Sequence, residues 1–185
     1  NISDVTVQHG KTTGNGGGIN YDTLGLLTLN RVTVTDNSSG LFGGGVFVRR
    51  GNMNIDLSEI SNNRSASDGG GIDSALSGAS VVNISNSSIS GNVAQGDGGG
   101  IFNDFTGMMT LTNSTVSGNS SLSGGGTFTS GDLRVLGGST VSGNTASDEG
   151  GGIFSIASLP AKLVVTNSTI SGNTAVDNGG GISAF

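Results

Sequence analysis

Apolar and polar positions alternate along this chain in short runs, and the runs recur. Leu27/Leu29, Met53/Ile55, Val82/Ile84, Met109/Leu111, Leu133/Val135 and Leu163/Val165 are apolar pairs split by a single residue. Alternation at period two predicts strand, with every second side chain turned inward. Each pair is followed by an aliphatic residue: Val34, Ile60, Ile89, Val116, Val141 and Ile170. Three residues after each of these stands an asparagine: Asn37, Asn63, Asn92, Asn119, Asn144 and Asn173. Parity changes between the two blocks, as from Leu29 to Val32, and this odd step predicts a corner. The Leu133/Val135 pair is shifted by one residue relative to the other copies, and the first copy, Val7 to Gly10, lacks the asparagine.

A block of three glycines and an apolar residue opens a third strand, as in Gly152-Ile153-Phe154. Its first glycines are Gly16, Gly43, Gly69, Gly98, Gly124, Gly150 and Gly179, at spacings of 27, 26, 29, 26, 26 and 29 residues. No helical periodicity is present. A repeat of this length without helix is too short for a propeller blade and suits one turn of a solenoid. Crossovers between parallel strands are right-handed. The expected fold is therefore an all-β, right-handed parallel β-helix of about seven coils of 26–29 residues, with three short strands per coil. Coils stacked about 4.8 Å apart make a rod about 33 Å long. Residues 1–185 read as a single solenoid domain, either a piece of a longer solenoid or a filament subunit.

One coil cannot bury its own apolar face, but stacked coils bury a column. Val7, Val34, Ile60, Ile89, Val116, Val141 and Ile170 are expected to form one inward ladder. Ile19, Val46, Ile72, Ile101, Ile153 and Ile182 form another, interrupted by Thr127. The glycines are expected to allow a tight bend with positive φ. The asparagines are expected at a corner, tolerating left-handed geometry and bonding to their neighbours in the stack. Both sets read as structural.

The net charge is −6, with seven Lys and Arg in total. That excludes the basic stripe of a nucleic-acid binder and gives little attraction to anionic membranes. No apolar run is long enough for a membrane span, so membrane insertion by this segment is not expected. The absence of cysteine removes disulfides and thiolate sites.

The paired motifs, in Ser114 to Asn119, Ser139 to Ala146, Gly150 to Phe154, Ser168 to Ala175 and Gly179 to Ile182, carry a resemblance over essentially the whole chain. They resemble the bacterial right-handed β-helix repeat proteins, and are similar to the GGAI and FxxN repeats of chlamydial polymorphic outer-membrane proteins. Here a third glycine replaces the alanine, and Ile or Val replaces the phenylalanine. The resemblance implies an extracellular or outer-surface protein used in adhesion or display, and it carries over no catalytic residue.

Other β-helices degrade polysaccharides, and three groups of residues here could carry chemistry. Asp22, Asp73 and Asp104 follow glycine blocks, with Arg49 and Arg50 on the intervening coil. Converging in a groove they would suggest polysaccharide binding or cleavage, since glycosidases need paired carboxylates. Scarce aromatics, 4% of residues, argue against sugar stacking. Asp68, Asp97, Asp148 and Asp177, with Asn15, Glu149 and Asn178 beside them, precede glycine blocks. Stacked at one corner they would offer oxygen ligands to calcium. Asp and Asn also favour such turns for their own sake, so no metal or other cofactor is expected beyond that candidate. The residues flanking the first inward ladder, from Thr6/Gln8 and Thr33/Thr35 to Thr169/Ser171, form outward hydroxyl ranks broken by Glu59. These resemble the ranks of ice-binding solenoids. A lone His9 makes neither a zinc cage nor a triad. Sequons such as those at Asn86 and Asn113 follow from composition. The variable segments, Asp73 to Val81 and Phe154 to Lys162, are the edge where a site would sit.

The expected function is structural: a surface adhesin, stalk or fibre subunit that is not an enzyme. Its expected partners are further coils stacked end to end and a cell-surface glycan or protein receptor. The alternatives are a polysaccharide-active β-helix and an ice-binding solenoid.

Overall fold

A computed structural model describes residues 1–74, 81–104, 107–156 and 162–185. Every regular element among them is a strand, and every pairing is parallel and links one repeat to the next. A representative rung contains Val81–Ser85, Ser88–Ser90, Val93–Ala94 and Ile101–Asn103. The second and third of these stack into two 7-stranded sheets. The first and last join a 12-stranded sheet through two long strands, Ile19–Asn30 and Val46–Asp56, which run without a break across the remaining corner. The two-residue strand after each asparagine, such as Val93–Ala94, is an element that the apolar pattern does not mark.

Register follows the repeat. Val34 pairs with Ile60, Ile89 with Val116, and Val141 with Ile170, so the first aliphatic ladder runs through the coil. Ile72 pairs with Ile101, and Thr127 lies between Ile101 and Ile153. The alternating pairs add Leu29, Met53, Ile84, Met109, Leu111, Leu133 and Val135, all fully buried. Met109 and Leu111 pair with Leu133 and Val135, so that copy keeps its register. The extra residue is taken up in the Gly137–Gly138 turn, where both φ values are positive.

The asparagines occupy the corner between the two 7-stranded sheets, but they do not carry its left-handed backbone. Positive φ falls on the residue before each of them, namely Asp36, Asn62, Gly91, Gly118, Gly143 and Gly172. The asparagine side chain turns inward instead and is buried from Asn37 through Asn144. Asn119 shows the pattern. Its Oδ1 accepts from Asn92 N at 2.9 Å and Asn92 Nδ2 at 3.0 Å, and its Nδ2 donates to Ile89 O at 3.0 Å and Asn144 Oδ1 at 2.9 Å. The amide thus satisfies backbone that turns inward at the bend, where water cannot reach.

The triple glycines line the facing corner for steric reasons. Gly98 has φ +67°, and a Cβ there would lie 2.5 Å from Ile101 O. A Cβ on Gly99 would lie 2.5 Å from Gly125 O, and one on Gly100 would lie 3.0 Å from Asn119 Nδ2. The glycines and the amide ladder therefore define one another's space.

Two stability predictions follow from this packing. Asn119→Ala strands the Asn92 N–H and takes a donor from the Ile89 carbonyl, both buried on the preceding rung, and should cost about 3 kcal/mol in urea unfolding. Thr127 is fully buried in an aliphatic ladder and its Oγ1 has no hydrogen-bond partner. The isosteric Thr127→Val should raise stability by about 1 kcal/mol, read as a higher Tm. A fall in Tm would show that the hydroxyl is satisfied in solution.

Candidate functional site

The acidic and basic residues after the glycine blocks come together only in part. Asp22 accepts from Arg50 Nε at 2.8 Å and from Arg49 Nη1 at 3.2 Å. The hydrogen bond from Arg50 holds the Asp22 carboxyl below the usual carboxylate range, with Coulombic support from both guanidinium groups. Asp73 pairs in register with Phe47 and Phe102 and is fully buried, whereas Asp22 pairs with Arg50 beyond a register shift. Asp104 follows the Asn103 that pairs with Ser74. Asp73 thus stands apart in its own column, whereas Asp22 and Asp104 each follow a residue of the Tyr21, Val48, Ser74 and Asn103 column, three rungs from one another. The variable segments, Asp73 to Val81 and Phe154 to Lys162, fall largely on residues 75–80 and 157–161, outside the described residues, so a site on that edge lies outside them too.

Aromatic residues are few but concentrated. Phe102 stacks on Phe128 with centroids 4.9 Å apart, Phe128 meets Phe154 at 5.4 Å, and Phe154 meets Phe185 at 6.0 Å. Phe42 and Phe47 form a further pair at 6.3 Å. Phe47, Phe128 and Phe154 are buried and Phe42 and Phe102 half-buried, whereas Phe185 is exposed, so the ring contacts serve mainly to pack successive rungs.

The acids before the glycine blocks share a corner but split between two columns. Backbone bonding places Asp68 and Asp97 in line with Phe42, Ser123 and Glu149. Asp148 and Asp177 stand one column over, in line with Leu41 and Leu122. Asp68 Oδ1 accepts from Asp97 N at 2.8 Å, and Asp97 Oδ1 accepts from Ser123 N at 3.1 Å. One oxygen of each carboxylate is thus committed to holding the corner. Among the described residues, no three His, Cys, Asp or Glu side chains gather as metal ligands. Burial raises the pKa of Asp97, and the nearby Asp68 and Asp148 add to the rise against the backbone bond from Ser123.

The hydroxyl ranks lie in register on one 7-stranded sheet, Thr33 beside Glu59, Ser88 beside Thr115, and Thr140 beside Thr169. Glu59 stands within the rank and is exposed. Along this sheet's edge runs a shallow groove of about 580 Å³. Arg31, Leu57, Asn86 and Asn113 form one wall, and Glu59 and Thr115 stand on the other. Arg31, Leu57, Asn86 and Asn113 all have positive φ, so the corner backbone holds them in an outward row. Arg31 is clamped by Asp4 through contacts of 2.6 and 2.9 Å. Asp56, hydrogen-bonded by Ser85 and Asn86, is held below the usual carboxylate range by those bonds.

Beneath the groove lies a serine ladder that the motifs do not mark. Ser58 Oγ accepts from Val32 N at 3.0 Å, Ser87 Oγ from Ser58 N at 3.0 Å, and Ser139 Oγ from Ser114 N at 3.2 Å. Each also donates to a carbonyl on its own rung, as Ser87 Oγ does to Ser85 O at 2.6 Å. Its signal is a serine two residues before the inward aliphatic residue in five rungs, from Ile60 to Ile170, where Val5 and Val32 stand in the first two, hidden in a chain already rich in serine. His9 takes positive φ at the asparagine corner of the first rung. The asparagines of the sequons at Asn86 and Asn113 are exposed.

A family model described as a right-handed beta helix region matches residues 17–185. No curated protein and no solved structure matches the chain.

Asp97 sets a pH dependence. An acid whose pKa is raised by folding lets the folded state bind more protons, so stability falls as pH rises from the unfolded pKa through the folded one. Asp97→Asn keeps the acceptor for Ser123 N and removes the buried charge. It should raise Tm at neutral pH, and the gain should vanish in acid below the ordinary carboxylate range. An equal gain at every pH would show that the charge is not the cause.

Proposed function

The chain belongs to the right-handed β-helix family, and from that premise we propose that it is a structural solenoid of the cell exterior, a stalk, adhesin or fibre subunit without catalysis. The observation that carries this reading is the placement of its carboxylates. Hydrolysis of a glycosidic bond needs two carboxyl groups flanking the bond, one of them free to act as an acid. Asp22 is neutralised by two guanidinium groups, and Glu59 is the one carboxylate lining the groove. The polar side chains that repeat most regularly, the asparagine and serine ladders, are spent on holding the coil. A rigid rod suits display at a distance from a surface. The resemblance to surface β-helix repeats supports the exterior placement.

The experiment is incubation of the purified chain with neutral and uronic-acid polysaccharides, following reducing ends and unsaturated uronate absorbance. No release above the blank is expected. Release that disappears in Asp22→Asn or Glu59→Gln would overturn the reading in favour of a polysaccharide-degrading enzyme.

A further inference from the structure

The 7-stranded sheet built from the two-residue strands presents an outer face whose relief differs between its two ends. Ser38, Arg64, Val93, Ser120, Thr145 and Thr174 run down its middle on successive rungs. On the asparagine corner, the Ser38 and Arg64 rungs carry Asp36 and Asn62, whereas Gly91, Gly118, Gly143 and Gly172 hold that place on the next four. On the glycine corner, Gly96, Leu122 and Asp148 stand in line on successive rungs. Leu122 is 46% exposed over this corner. Arg64 is exposed and makes no ion pair among the described residues.

We propose that two copies of the chain pair side by side and antiparallel through this face, about a two-fold axis that crosses the coil between the Val93 and Ser120 rungs. Such an axis sets each column against itself with its rungs reversed. Leu122 then falls opposite Gly96 of the partner subunit, so an exposed leucine meets a place without a side chain. Asn62 falls opposite Gly143, and Asp36 opposite Gly172, so what stands proud on one copy again meets glycine on the other. Arg64 falls opposite the rung that carries Asp148, an exposed carboxylate. Each of these contacts occurs twice. Moving the axis by half a rung breaks the fit. In one direction Arg64 meets the Leu122 rung and Leu41 meets Asp148, leaving both charges against apolar side chains. In the other, Leu122 collides with its own copy and Asp148 lies over Gly96.

Six rungs at about 4.8 Å each give a contact about 29 Å long. One short strand and its two corners wide, the contact is at the small end of specific interfaces, so a dissociation constant of about 10–100 µM is expected. The charge pairs set register and partner choice more than affinity. The dimer goes beyond the non-catalytic reading and does not depend on it.

The test is sedimentation velocity of the purified chain from about 1 µM to about 1 mM, at low and high salt, with Tm read for every variant. A closed monomer–dimer equilibrium is expected, weakened by salt. Arg64→Glu and Asp148→Lys should each raise the dissociation constant about tenfold or more, and the two together should bring it back to within about threefold of the starting value, because the swapped charges again face each other. Leu122→Asp, which sets a carboxylate over Gly96, should abolish the dimer with Tm preserved. Leu57→Asp makes the same charge change at an exposed leucine on the far corner and should leave the dimer intact. The proposal is overturned by a monomer at every concentration, by oligomers that grow beyond two, by a dimer that Leu122→Asp leaves unchanged or Leu57→Asp weakens equally, or by failure of the paired swap to restore association. None of these outcomes bears on catalysis, which the polysaccharide incubations decide separately.

Discussion

A parallel coil of this size depends on satisfying backbone that turns inward at its corners. Water cannot reach those groups, and a peptide N–H left unpaired there would cost as much as a lost hydrogen bond. The buried amides of Asn37, Asn63, Asn92, Asn119 and Asn144 meet that need by bonding up and down the stack. Because each amide bonds both the rung before it and the rung after it, the corner is cooperative along the axis. The serine ladder does the same at the next corner, and the triple glycines admit backbone and amide where any Cβ would collide. Stacked aliphatic side chains supply most of the burial, and these polar ladders set the register in which that burial occurs.

Most of this was legible in the sequence because every requirement repeats. The aliphatic positions, the asparagines and the glycines recur at the period of the coil, and the strand register follows them. What periodicity could not supply was direction. Asparagine is common both as a left-handed corner residue and as a buried amide, and the sequence alone does not say which of two adjacent positions takes which part. The structure gives the left-handed backbone to Asp36, Asn62 and the glycines that replace them, and sends the next side chain inward.

Columns follow the count to the glycine block. Asp68 and Asp97 stand one residue before theirs and Asp148 and Asp177 two before, so the four acids divide between two ranks. Asp73 separates from Asp22 and Asp104 for the same reason, since it lies four residues after its first glycine and they lie six after theirs. Composition misled in the other direction with phenylalanine. A low total hid a strong concentration, with Phe102, Phe128, Phe154 and Phe185 in continuous ring contact.

Constraint also says where recognition can evolve on such a coil. Inward positions are fixed by packing, and the glycine corner is closed by steric contact. The faces of the 7-stranded sheets are free to vary but offer little relief for a ligand. At the corner between the 12-stranded sheet and the hydroxyl-bearing sheet, positive φ lifts one side chain per rung clear of the backbone, and the serine ladder beneath holds the bend without help from that side chain. Arg31, Leu57, Asn86 and Asn113 are therefore free to differ from rung to rung without loss of the fold. A row of variable side chains on an invariant scaffold is where a binding surface costs the least stability.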